Sequence, residues 1–248
     1  MDQGDATPPE ALGVTEATGA VLALLDESYS PFVAAAATVI EETDADRLNA
    51  AISRVHDDVQ GRFYLDGLES FLEFRERGFH ATSDPFEVRI EFIAFLARAL
   101  EFKSLIVYSD KTLRKDLSEK QLLMVATHRL ARDIIRAYRG RPRITFLFES
   151  AHAMDPYTER VVVQAAKSLK GPTPAIDVKF GVKRQPDLLA LPDYVLHVFN
   201  QWLATKSGGI GAVDPADNKS RSFKAILGSV SSARNLDNSR VIRRTTLR

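Results

Sequence analysis

Three short segments rich in β-branched and aromatic residues, SLIVYSD (104–110), RITFLFES (143–150) and IDVKFGV (176–182), alternate with stretches of helical spacing. The second is the clearest, being apolar and introduced by Gly140 and Pro142. The third alternates along its length, which predicts a strand with one polar face. Before them come two apolar runs, AVLALLDES and PFVAAAATVI, on either side of a Ser-Tyr-Ser-Pro turn. That arrangement reads as an antiparallel hairpin, although the alanines of the second run would also suit a helix. Strands alternating with helices after an antiparallel unit indicate an α/β domain with a mixed sheet.

The helical segments are legible from spacing. Residues 44–60 place Leu48, Ile52, Val55 and Val59 three or four apart. Residues 61–85 read as irregular. Phe86, Ile90, Ile93, Ala94, Ala97 and Leu100 then predict the buried stripe of an amphipathic helix. Ser118 with Gln121 forms a capping-box signature ahead of Leu122, Val125, Ala126, Leu130, Ile134 and Tyr138. Asp155-Pro156 opens a helix running to about Leu169, with proline suited to its first turn. Leu191-Pro192-Asp193 opens the last, whose stripe is Tyr194, Val195, Val198, Phe199, Trp202 and Leu203.

Charge organises the chain further. Lys plus Arg and Asp plus Glu cancel at 33 each, yet residues 1–60 hold twelve acids against two arginines, whereas residues 206–248 hold nine cations against three acids. The simplest reading is a frayed leader at 1–19, one domain at 20–205, and a basic, Ser- and Asn-rich extension at 206–248. Such an extension is more often a solvated tail than a nucleic-acid clamp. The extension has one apolar island around Phe223–Val230. With no cysteine there is no thiolate chemistry and no disulfide, which fits a reducing compartment. The longest apolar run is too short to span a bilayer, and the acidic N-terminus lacks the basic region of a signal peptide. A cytoplasmic protein without membrane association is expected.

Several chemistries are excluded. The chain has no P-loop, no GxSxG elbow and no HExxH, and its five histidines share no metal-ligand spacing. What remains is a set of carboxylates at strand ends or a helix start: Asp26 and Glu27 closing the first strand, Glu149 closing FLFES, and Asp193 in the first turn of the last helix. Each has a plain structural explanation. The macrodipole accounts for Asp193, an arginine partner or a turn for Glu149, and a turn for Asp26 and Glu27. Adjacent strand residues point to opposite faces, so only one of Asp26 and Glu27 is expected to face a shared site. Brought together, such acids repel each other unless a divalent cation lies among them, and hard oxygen ligands suit Mg²⁺ or Mn²⁺.

The same segments carry a family resemblance. LALLDESYSPFVAAAATVI resembles the opening hairpin of the domain-of-unknown-function 3800 family, an apolar strand ending in Asp-Glu-Ser. GFHAT supplies a histidine, His80, before the next helix. SLIVYSDK resembles the family's strand ending in Asp110-Lys111, ITFLFES its strand ending in an acid, and LLALPDYVLHVFNQWL its closing leucine-rich helix. Tyr29 stands where the family usually has glycine, Glu149 where aspartate is commoner, and Pro192 where a small residue precedes the acid.

The resemblance, which covers roughly residues 20–205, implies a ribonuclease-H-like mixed sheet flanked by helices, with acids at its centre. It implies a metal-dependent nuclease in which Asp26, Glu149 and Asp193 bind two Mg²⁺ or Mn²⁺ ions. Glu27 would be a fourth ligand, and His80 would contact phosphate or assist proton transfer. Lys183, Arg184 and Arg243-Arg244 would attract a nucleic-acid backbone. The three departures motivate a rival: a non-catalytic protein- or nucleic-acid-interaction module of the same fold, its acids neutralised by Arg or Lys.

Overall fold

The computed structural model describes residues 19–99, 102–150, 155–181, 187–205 and 217–243. Strands β1 (Val21–Ser28) and β2 (Val33–Glu41) form the antiparallel hairpin, and β3 (Lys103–Ser109) pairs antiparallel with β2. β4 (Arg143–Glu149) returns parallel to β1, and β5 (Ala175–Gly181) lies parallel to β4. β6 (Val230–Asn235) runs parallel to β3, and β7 (Val241–Arg243) closes that edge antiparallel to β6. The result is a seven-stranded mixed sheet in the order β5-β4-β1-β2-β3-β6-β7.

Seven α-helices accompany the sheet among the described residues: α1 (Ala45–Gln60), α2 (Glu69–Arg77), α3 (Phe86–Arg98), α4 (Glu119–Ala137), α5 (Asp155–Lys167), α6 (Ala190–Ala204) and α7 (Asn218–Ile226). α4 and α5 cover one face through Leu122, Ala126, Leu130, Ile134, Val162 and Ala165. The helices α1, α2, α3, α6 and α7 pack over the other. The expected α/β class and mixed sheet are observed. No helix among the described residues is long and apolar enough to cross a membrane.

β2 shows why an alanine run becomes a strand here. It is the central strand of the seven, between β1 and β3 with three strands on either side, and its residues 33–40 are all buried. Ala35 and Ala37 face the α4 layer, while Ala34 and Ala36 face the α6 layer. Methyl side chains let both helices approach the sheet backbone closely. Helix propensity is a preference of well under 1 kcal/mol per residue, and tertiary packing overrides it. The capping box is also present: Ser118 Oγ accepts from Gln121 N at 3.3 Å, and Gln121 Oε1 accepts from Ser118 N at 2.8 Å.

Three expectations are corrected. Residues 61–85 are not irregular throughout, because α2 forms where Phe71 and Phe74 bury themselves one helical turn apart, with Phe74 and Phe79 against His56. In α3 the buried side chains are Val88, Phe92, Phe95 and Leu96, whereas Phe86 and Ile90 of the expected stripe are exposed. A helix with apolar residues on two faces has two candidate stripes, and only its neighbours choose between them.

The third correction concerns the boundary at residue 205. Residues 217–243 are part of the domain: Phe223, Ile226, Val230, Ala233 and Ile242 all enter the core under α6 and α3. Phe223 stacks on Trp202 with ring centroids 4.2 Å apart and planes at 16°. β6 and β7 then extend the sheet, and Arg234 is held by Asp133 at 3.3 Å. The apolar island outweighs the polar composition around it, since each buried aromatic or branched side chain contributes about 1.5–3 kcal/mol. Residues 1–18 of the expected leader lie outside the described residues.

Candidate functional site

The site begins with two parallel strands. β1 and β4 run side by side inside the sheet, between β5 and β2, and their last paired residues are Leu25 and Phe148. Asp26 and Glu149 lie one step beyond, at the carboxyl ends of the strands. Leu24 and Leu147, two residues earlier, face the α6 side of the sheet. Side chains alternate along a strand, so Asp26 and Glu149 share that face on strands about 4.8 Å apart. Glu27 points the other way, with Leu25 and Phe148, toward the α4 layer.

Because β1 ends here, its two acids look into two adjoining cavities. One, of about 300 Å³, is lined by Asp26, Glu27, Tyr29, Thr127 and Glu149 among others. The second, of about 310 Å³, lies against α6; Asp26, Glu27, Arg89, Asp193, His197 and Asn200 contribute to its wall. Asp26 and Glu27 are common to both. Asp193 occupies the first turn of α6, where the helix dipole favours a carboxylate, and its Oδ2 accepts from Ala81 N at 3.1 Å.

The next residue anchors the same loop. Tyr194 is buried and its hydroxyl donates to Asp84 Oδ2, which also accepts from His80 N at 2.9 Å. The loop of residues 80–84 is thus fastened to the start of α6 through two consecutive α6 side chains. Thr82 of that loop lines the second cavity; His80 lines neither of the two. On the far side, Asn200 Nδ2 donates to Ser28 Oγ at 3.0 Å and ties α6 to the end of β1.

The electrostatics follow from crowding. Solvent reaches Glu27, but protein surrounds it on most sides; this desolvation raises its carboxyl above the ordinary range, against a hydrogen bond from Tyr29 Oη at 3.3 Å that lowers it, and the Glu149 charge raises it further. Tyr29 is pushed up to about 12, first by burial and then by the Glu27 charge. Burial, reinforced by the Arg89 charge, lowers His197, and the Asp193 charge opposes them. Tyr194 is raised by burial and then by Asp84, so its hydroxyl keeps its proton.

The strand ends thus set Asp26 and Glu149 at one level, and Asp26 shares the first cavity with Glu149 and the second with Asp193, while Glu149 is not among the described lining residues of the second. Among the described residues, no three His, Asp or Glu side chains lie close enough to hold one ion. Backbone placement fits a shared cation between Asp26 and Glu149, whereas the side chains as placed do not converge on one. Arg243 lies on β7, four strands from β1, so about 19 Å away by strand spacing. Lys183, Arg184 and Arg244 lie outside the described residues.

Sequence reasoning missed Arg89, His197, Asn200 and Asp84. A signal existed for two of them: His197 and Asn200 follow Asp193 at spacings of four and seven on a largely apolar helix, which places three polar groups on one face. Arg89 had none, because only the docking of α3 beside α6 brings it to the cavity. A scan against models of known protein families found no match, and a search of curated proteins found none.

Proposed function

We propose that this chain is a divalent-metal-dependent hydrolase of phosphodiester bonds in nucleic acid, built on a ribonuclease-H-like fold. The observation that carries the reading is Asp26: it ends a central strand, has Glu149 beside it on the same face, and opens into a cavity that also receives Asp193. The order β5-β4-β1-β2-β3, in which β2 alone runs against the others, supports the fold reading. β6 and β7 add to the β3 edge and leave the acid-bearing strands untouched.

Asp26 and Glu149 would hold the ion, with Asp193 and Glu27 as the further acids, once the first two carboxylates rotate toward each other. A bound Mg²⁺ or Mn²⁺ supplies an acidified water and a counter-charge for the leaving oxygen. The chain's own part is positional. Asn200 fixes α6 against Ser28, the Ala81 amide orients Asp193, and Arg89 places a positive charge where a phosphate enters. His197, kept neutral by burial and Arg89, is able to accept a proton beside that cavity.

One observation favours the second reading, a non-catalytic interaction module. Arg89 and His197 line the same cavity as Asp26 and Asp193, and no three of the described acids meet. The test is a Mg²⁺ and Mn²⁺ titration of cleavage on single- and double-stranded DNA and RNA, beside Asp26→Asn, with Mn²⁺ binding measured by calorimetry. Cleavage by the wild type that Asp26→Asn abolishes supports the hydrolase. Equal inertness of both proteins with no Mn²⁺ binding removes it and leaves the module.

A further inference from the structure

The stripe of α3 that the core does not use points to a binding surface. Phe86 is 56% exposed and Ile90 46% exposed, large values for side chains of this size on a folded helix. With Ile93 and with Val198 of α6 they line a cavity of about 240 Å³ between α3, α6 and α7. The charges on its wall are Arg89 and Lys219, and among the described residues no carboxylate lines it. α7 itself carries Lys219, Arg221 and Lys224 and no acid.

This groove is continuous with the candidate site, because Arg89, His197 and Gln201 line both it and the cavity that holds Asp26 and Asp193. Along α6 the shared stripe runs from Asp193 through His197 to Gln201. Four residues of helix rise about 6 Å, so the groove lies within about 12 Å of Asp193. We propose that it binds an unpaired nucleic-acid strand leading to the acids, with Phe86 stacking on a base and Arg89 and Lys219 meeting the phosphates.

The chemistry selects this occupant. An apolar wall with a projecting ring and two flanking cations matches a ligand that alternates flat π-faces with negative charges, as a single strand does. A duplex hides its base faces and presents phosphates, for which Phe86, Ile90 and Ile93 offer nothing. The proposal rests on the hydrolase reading for its direction toward the acids, but it concerns binding and is tested by binding.

The experiment is fluorescence anisotropy in EDTA, with a short labelled oligodeoxythymidine, an oligouridine and a duplex of equal length, at several salt concentrations. The proteins are the wild type, Asp26→Asn, Phe86→Ala, Phe86→Leu, Phe86→Trp and Lys219→Ala. Exposure of Phe86 makes its variants fold, which a thermal melt checks. The wild type and Asp26→Asn are expected to bind single strands and to prefer them to the duplex. Phe86→Ala and Phe86→Leu should each weaken that binding about tenfold, with Phe86→Trp retaining it, since stacking needs a ring. Lys219→Ala should flatten the dependence on log salt by about one phosphate contact.

The proposal is overturned if Phe86→Leu binds like wild type, if the duplex binds as tightly as the single strand, or if no oligonucleotide binds at low salt. It is overturned equally if the face proves to be a protein contact: concentration-dependent self-association lost in Phe86→Ala, without strand binding. The two readings fail separately. Strand binding without cleavage or Mn²⁺ binding removes the hydrolase and keeps the groove; cleavage with strand binding indifferent to Phe86 removes the groove and keeps the hydrolase.

Discussion

Phe223→Ala tests whether the segment after residue 216 belongs to the domain. Phe223 is fully buried and stacked on Trp202, with Phe199 a further ring at 6.0 Å. Truncating a buried phenylalanine removes its transfer free energy and leaves a cavity, together about 3–5 kcal/mol. Domains of ordinary stability have about 5–15 kcal/mol in total, so the loss is a large share. For a chain of this size each kcal/mol lowers Tm by about 2–4 °C, which predicts a drop of about 6–20 °C. The assay is built in: Trp202 is the single tryptophan of the chain and is itself fully buried, so its emission reports unfolding and the lost contact together. A urea melt followed by that emission should show an earlier midpoint and an altered native baseline. A cost below about 1 kcal/mol, the size of an ordinary surface effect, would refute the reasoning and return the segment to the status of an appendage.

Ala36→Leu in β2 should cost about 1–3 kcal/mol by overpacking the α6 layer against the sheet, measured by chemical denaturation. Tyr194→Phe removes the hydroxyl that Asp84 accepts from; a hydrogen bond to a charged group is worth about 1.5–3 kcal/mol, and faster amide exchange at His80 and Ala81 should accompany the loss. His56 is held neutral by burial, which lowers its pKa, with the Phe74 backbone and Asp57 acting against that. The unfolded chain then binds the extra proton, so stability is full above the unfolded histidine value of about 6.5 and is lost as pH falls through and below it. Unfolding free energies measured across pH 5–8 should slope less in His56→Gln, and an unchanged slope would remove His56 from that account.

Local pattern carried much of the fold. The hairpin, the positions of β3, β4 and β5, and the spans of α1, α4, α5 and α6 all followed from periodicity and from punctuation such as Pro142 and Asp155-Pro156, because those signals are contained within a few residues. The candidate acids were legible for the same reason, as polar ends on apolar runs. α2 was not, since five of its nine residues are arginine or glutamate and only Phe71 and Phe74 are buried. Arg89 was hidden because its importance depends on two helices meeting.

The amino-acid sequence by itself determined the strands β1, β3, β4 and β5, the helices α1, α4, α5 and α6, the antiparallel direction of the opening hairpin, and the capping of α4. Only the tertiary structure decided three things: which apolar face of α3 is buried, that Phe223 and Ile242 bring residues 217–243 into the core, and that Asp26 and Glu149, more than a hundred residues apart, end side by side. The physical reason is range. Periodicity and capping act over one or two turns, whereas burial of a face and pairing of distant strands depend on every other surface the chain has to cover.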